Sequence, residues 1–272
     1  MTSPFRDGAG QPIRSIRGLN SLPEAHRMAA YRTLLPGEVF QRFGLDPSHP
    51  VDAAGRPLLS ANAEPGSLSV EIEFRHQAEA RDPVVYAHLA DTQHNQIIIL
   101  LYVVNDPDSP RFDIDRNWSG QRTKLGTLSR NVEAELAAMQ AGLAPGQVRR
   151  GLHITRALLG CFETFLTRLG HDMFLLEPLA YHVAIIFERY GCAYSQGLRK
   201  MQWIHEQFQP GGELWARLNG STPFRMPGAH GTVRGRSWAI QDGILGEPYT
   251  NIHMHKQVGR NAGICTFPDA VW

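Results

Sequence analysis

The sequence predicts a mixed α/β fold of the α+β kind: a central, largely antiparallel sheet with helices on both faces. Three observations carry this. Leu68–Arg75 alternates apolar and polar residues, and two apolar runs follow it at short spacing. Beyond residue 129, apolar residues recur at helical intervals on either side of one short hydrophobic run, Met173–Leu176.

Taken in order, residues 1–20 are rich in Gly, Pro, Ser and Arg and predict a loose arm or one wrapped on the surface. Leu22–Phe43 has helical spacing that Pro36-Gly37 should split into two short helices. Asp46–Gly66, punctuated by Pro47, Pro50, Pro57 and Pro65, reads as loop. Leu68–Arg75, Pro83–Leu89 and Gln96–Val104 then form a three-strand antiparallel meander. The last is apolar throughout and is expected to be central and covered on both faces. Asn105–Gly126 is a long polar excursion. Ser129–Leu143 is a helix capped by Ser129 or Asn131, and Gly151–Leu169 is a stronger one. After the strand Met173–Leu176 come helices Tyr181–Tyr190 and Leu198–Phe208, then short strands at Ser237–Ile240 and Asn251–Gln257. This divides the chain into an arm with helices (1–66), an α/β core (67–197) and a helix-and-strand extension of the same domain (198–272).

The composition of the 272 residues, 42% hydrophobic and 19% charged, is that of a folded chain able to bury a core without disulfides or metals. Its 27 basic residues against 26 acidic ones argue against a general nucleic-acid or membrane-surface binder, which needs a basic excess. Cys161, Cys192 and Cys265 make no Cys-x-x-Cys pair and read as incidental thiols. The longest apolar run, Ile97–Val104, is far short of the roughly twenty residues of a spanning helix. No basic segment followed by an apolar one opens the sequence, so a cytoplasmic location without a membrane partner is expected.

Chemistry concentrates in Gln147-Val-Arg-Arg-Gly-Leu-His-Ile-Thr-Arg-Ala-Leu-Leu159. A basic, glycine-containing turn opens a long amphipathic helix there. The first amides of a helix lack internal partners and its dipole is positive at that end, so the turn can seat a phosphate or diphosphate. Arg149, Arg150 and Arg156 add charge; a cationic, solvent-facing helix start is the plain alternative.

With the strand Met173–Leu176 and the helix ending Phe187-Glu-Arg-Tyr-Gly-Cys192, this segment resembles the GNAT acetyltransferase superfamily. Arg150-Gly-Leu-His-Ile-Thr-Arg-Ala-Leu-Leu159 overlays that family's Arg-Gly-x-Gly-Ile-Gly-x-x-Leu-Leu loop. The resemblance spans about 50 residues. It implies a GNAT-like, acyltransferase-like core with N- and C-terminal extensions, in which loop amides grip the diphosphate of acetyl-CoA or another acyl-CoA. The adjoining strands would splay to admit the thioester. Arg149, Arg150, Gly151, His153, Thr155 and Arg156 would then bind this co-substrate. The sequence departs from the pattern at His153 and Thr155, where the family has glycine, and at Phe187, where it often has an acidic tyrosine. About 45 residues also separate Val104 from the loop.

Glu177 follows a buried strand directly, where a carboxylate could deprotonate an acceptor amine; a capping or salt-bridged glutamate is the alternative. Tyr181 and Tyr190 are further candidates for the proton. His253 and His255 share one strand face about 7 Å apart, yet a metal needs a third ligand, and His88, His94, His182 and Glu177 qualify only by type. No metal site is expected. A Cys192–His182 dyad is rejected, the two lying about 15 Å apart along one helix. Arg225, Arg234 and Arg236 in a Gly/Pro-rich stretch could close over an anion, or be ordinary surface arginines.

The functional expectation is direct, acyl-CoA-dependent acylation of an amine on a small molecule or peptide, with Asn105–Gly126 and Gln209–Asp242 building the acceptor pocket. The alternatives are a non-catalytic ligand-binding protein on the same scaffold, or a metal-dependent enzyme using His253 and His255.

Overall fold

The computed structural model describes residues 3–117, 119–123 and 130–272. The architecture is mixed α and β: seven strands, mostly antiparallel, and nine α-helices among the described residues. They fall into two compact units, each assembled from separate stretches of chain. The first comprises the chain up to Asp108 together with Gly151–Leu176 and Lys256–Arg260; the second comprises Ser109–Arg150, Glu177–His255 and Asn261–Trp272.

The first unit contains strands β1 (Leu59–Asn62), β2 (Ser69–Phe74), β3 (Val85–Asp91), β4 (Ile97–Val104) and β5 (Met173–Leu176), adjacent in that order. Its helices are α1 (Ile16–Asn20), α2 (Glu24–Arg32), α3 (Gly37–Arg42) and α5 (Thr155–Arg168). Alternation places Val70, Ile72 and Phe74 of β2 inward, as expected. β1 to β4 pair antiparallel, with Ile72 opposite Ala87 and a bulge at His88/Leu89. β4 and β5 pair parallel, Ile97 opposite Phe174 and Ile99 opposite Leu176. Helix rings close on the sheet: Phe40 meets Phe74 edge-on at 5.1 Å and Phe162 meets Phe174 at 4.8 Å.

Several expectations are corrected in this unit. The N-terminal stretch is neither loose nor superficial, because Phe5, Ile13, Ile16 and Leu19 are buried. Phe5 lies 5.4 Å from Phe165 with the Arg168 guanidinium 3.9 Å over its ring, and the amides of Ile16 and Arg17 each donate to the Asp91 carboxylate at 2.8 Å. Asn20, fully buried, donates to the carbonyls of Ser67 and Ser69 and accepts from the Tyr31 hydroxyl at 2.7 Å. The presumed loop Asp46–Gly66 contains β1, an edge strand whose bracketing prolines masked it. β4 is not covered on both faces: Leu101 is 41% exposed. α5 begins at Thr155 and not at Gly151, because His153 takes a left-handed backbone conformation, φ 59°.

The second unit contains α4 (Val132–Gln140), α6 (Tyr181–Arg189), α7 (Leu198–Gln207), α8 (Glu213–Ala216) and α9 (Val233–Gln241). β6 (Ala193–Gln196) pairs antiparallel with the start of β7 (His253–Gln257). One core cluster joins Ile114, Ala138, Leu143, Phe224 and Trp238. Trp238 stacks on Phe224 at 5.2 Å and its indole N–H donates to the Leu143 carbonyl at 2.8 Å. Asn131 caps α4 by accepting from the Ala134 amide; the other expected cap, Ser129, lies outside the described residues, as do residues 118 and 124–126 of the polar excursion.

The expected strand Ser237–Ile240 is instead the middle of α9. Thr232 caps this helix by accepting from the Gly235 amide at 2.9 Å, and Arg236–Ile240 are all buried. Continuous burial removes the one-sided pattern that marks a helix in sequence, leaving a short apolar run that reads as strand. Arg236 is accordingly no surface arginine; it is 1% exposed. Arg225 is held by Asp242 at 2.8 Å.

Candidate functional site

The site builds up from the end of β4. β5 stops at Leu176, opposite Ile99, while β4 runs on through Leu100–Val104. Of those five residues, Leu101–Val104 pair with β3 and Leu100 is the bulged residue, and none has a β5 residue opposite on the other side. The two parallel strands therefore share only their first three pairs. Gly151 lies beside the end of β4, where a Cβ on it would sit 3.5 Å from the Val104 carbonyl oxygen.

From there the chain turns into α5. Leu152 is buried and anchors the turn, while His153 and Arg156 are exposed. His153 takes a positive φ of the kind that favours glycine although it carries a side chain. Ile154 precedes the helix and no side chain caps it. The first helical hydrogen bond runs from the Leu158 amide to the Ile154 carbonyl, at 3.0 Å. Among the described residues, no protein group accepts from the amides of residues 151–157. Seven successive amides without a protein acceptor thus lead into the positive end of a 14-residue helix.

Gly151, His153, Thr155 and Arg156 thus come together on this turn. Arg149 and Arg150, in the second unit, spend their guanidinium groups on main-chain oxygens: Arg149 on the Ser109 carbonyl, Arg150 on the Ala141 carbonyl at 3.0 Å.

Glu177, the residue immediately after β5, is exposed. Tyr181 is 1% exposed, and burial pushes its phenol up to about 12, so at neutral pH it stays protonated and cannot act as a base. Tyr190 is half-buried at the C-terminal cap of α6. His253 and His255 share one face of β7 as expected, both half-buried. Among the described residues no group of three metal-ligating side chains includes them or any others.

Polar groups that spacing did not single out are also buried in the second unit. Glu188 accepts from the Tyr194 hydroxyl at 2.5 Å and from the amide and hydroxyl of Thr266 at 2.9 and 2.7 Å. Ser237 meets His182 Nδ1 at 2.9 Å. Their only sequence signal is a polar residue within an apolar helix, which does not distinguish a structural hydrogen bond from a site.

Compared with known proteins, the chain matches no family model, no curated protein and no solved structure. No helix among the described residues is long and apolar enough to cross a membrane.

Proposed function

We propose that the protein is an acyl-CoA-dependent N-acyltransferase that passes an acyl group directly to an amine of a small molecule or peptide. One observation carries the reading: seven unaccepted amides open α5 beside a β4 whose far half has no β5 partner. The amides suit a diphosphate, and the side of Leu100–Val104 that has no β5 residue opposite suits the amide-bearing arm that leads to a thioester. The resemblance of the Arg150–Leu159 loop to GNAT acetyltransferases supports the same assignment.

In this reading the attacking amine loses its proton to Glu177, whose carboxylate is exposed at the end of β5. The amine nitrogen bonds to the thioester carbonyl carbon, the carbon–sulfur bond breaks, and the thiolate leaves and takes up a proton. Phe187 cannot supply that proton, so it comes from solvent.

Replacing Thr155 by proline removes one of the amides that open α5 while keeping a residue suited to the first helical position. Coenzyme A should raise the melting temperature of the wild-type protein. Thr155→Pro should weaken that binding about tenfold, the loss of one charge-assisted hydrogen bond, and because Ile154 at φ −100°, ψ 12° is disfavoured before proline, the unliganded variant should melt a few degrees lower. Equal binding by the variant, or none by the wild type, sinks the proposal. Glu177→Gln should lower thiol release from acetyl-CoA with an amine acceptor about a hundredfold or more while leaving coenzyme A affinity intact. Coenzyme A binding without thiol release for any amine would make the protein a non-catalytic binder on the same scaffold.

A further inference from the structure

The second unit contains a cavity of ≈ 520 Å³ between the start of α6, the end of α9 and the loop 243–250. Tyr181, Ser237, Ile240, Gln241, Pro248 and Tyr249 are among its lining residues. That volume is within the range of small-molecule sites, which combine apolar walls with a few convergent polar groups.

Two buried donors on this lining have no acceptor: the Tyr181 hydroxyl, whose oxygen faces the Arg236 guanidinium, and the Gln241 side-chain N–H₂. Buried polar groups are nearly always satisfied, so two orphans lining one cavity point to an acceptor brought by something else. Ser237 is engaged by His182, whose Nδ1 lies at 2.9 Å and whose amide donates to the same hydroxyl at 3.4 Å. His182 is fully buried and stays neutral, burial and then Arg234 lowering it to about 4.

The charges around the cavity set the sign of the missing acceptor. Arg236 lies beside Tyr181 and is buried. It donates to the His230 carbonyl at 2.6 Å, approaches His205 Nδ1 at 3.2 Å and lies 3.5 Å over the Phe267 ring. Among the described residues no carboxylate pairs with it. Asp269 and Glu206 face His205 without bridging Arg236, and the other acids nearby are occupied. Glu247 at the rim is bridged by Lys200 at 2.8 Å, Asp242 by Arg225 and Arg130, and Glu188 by Tyr194 and Thr266. Unused donors beside an uncompensated buried cation suit an anion.

We propose that this cavity binds a small organic acid, its carboxylate accepting from Tyr181 and Gln241 and its apolar body lying on Ile240, Pro248 and Tyr249. The site is independent of the proposed coenzyme A site, which lies in the first unit.

Phenylacetate serves as probe, with 2-phenylethanol and phenethylamine as its neutral and cationic counterparts, followed by titration calorimetry and ligand-observed NMR on the full chain. Phenylacetate should bind at least tenfold more tightly than either counterpart. Tyr181→Phe and Gln241→Leu should each weaken it about tenfold, and Thr155→Pro should leave it unchanged. Because the Tyr181 hydroxyl donates to no protein group, the unliganded Tyr181→Phe variant should melt within about 2 °C of the wild type. A much larger drop would show that the hydroxyl already has an acceptor and would overturn the proposal. Absence of phenylacetate binding, equal binding of the alcohol, or unchanged affinity in both variants would do the same.

Discussion

Phe165→Ala is expected to destabilise the first unit by about 3–5 kcal/mol, the usual cost of deleting a buried aromatic ring. Phe165 is fully buried on α5. Its ring lies 5.4 Å from Phe5, 6.1 Å from Tyr31 and 6.3 Å from Phe162, centroid to centroid. One side chain thus joins the N-terminal stretch, α2 and α5, and Phe162 carries the contact on to β5 through Phe174. Three separated pieces of chain would have to collapse together to refill the space, so relaxation should be small and the cavity term large. Urea melts of the wild type and variant measure it. Phe165→Leu, which keeps most of the volume, should recover well over half of the loss. A change below about 1 kcal/mol would mean that this cluster does not hold α5 in place. On the proposed reading the amides that open α5 seat coenzyme A, so Phe165→Ala should also weaken that binding.

The second large effect is a pH dependence centred on His182. Burial, reinforced by Arg234, lowers its pKa from 6.5 to about 4 in the folded protein. An unfolded chain takes up the proton as the pH falls through about 6.5, while the folded chain resists until about 4. The depressed folded value means that the contribution is complete above the unfolded pKa and is lost on acidification. The full loss across that window is about 3 kcal/mol, and about 2 kcal/mol of it is gone by about pH 5. Most carboxylates are still ionised there, so the window is readable. His182→Asn keeps a polar partner for Ser237 and removes the titration. Between about pH 7.5 and pH 5, wild-type unfolding free energy should fall about 2 kcal/mol further than that of the variant. Parallel curves would show that His182 charges without difficulty and is not sealed from water.

What could be read directly from residue order was local. Ser69–Phe74 alternates because one face of β2 is buried and the other is not. Pro36-Gly37 divides α2 from α3 where expected. The turn into α5 was visible as a glycine and arginines ahead of an amphipathic run, and the helix follows it from Thr155. Legibility failed where burial was complete or where the partner was remote. α9 passed for a strand because it is buried nearly all round. The N-terminal stretch passed for a loose arm because Phe5, Ile13, Ile16 and Leu19 are spaced without a period.

Periodicity, caps and composition are properties of neighbours along the chain, and they suffice for most helices, the meander and the exclusion of a spanning helix. Pairing Ile97 with Phe174 joins residues 77 positions apart (174 − 97). Burying Arg236 without a carboxylate and leaving the Tyr181 hydroxyl without an acceptor likewise arise from groups distant in sequence. Such contacts form only when loop closure and packing bring distant segments together, and no short window of residues encodes them.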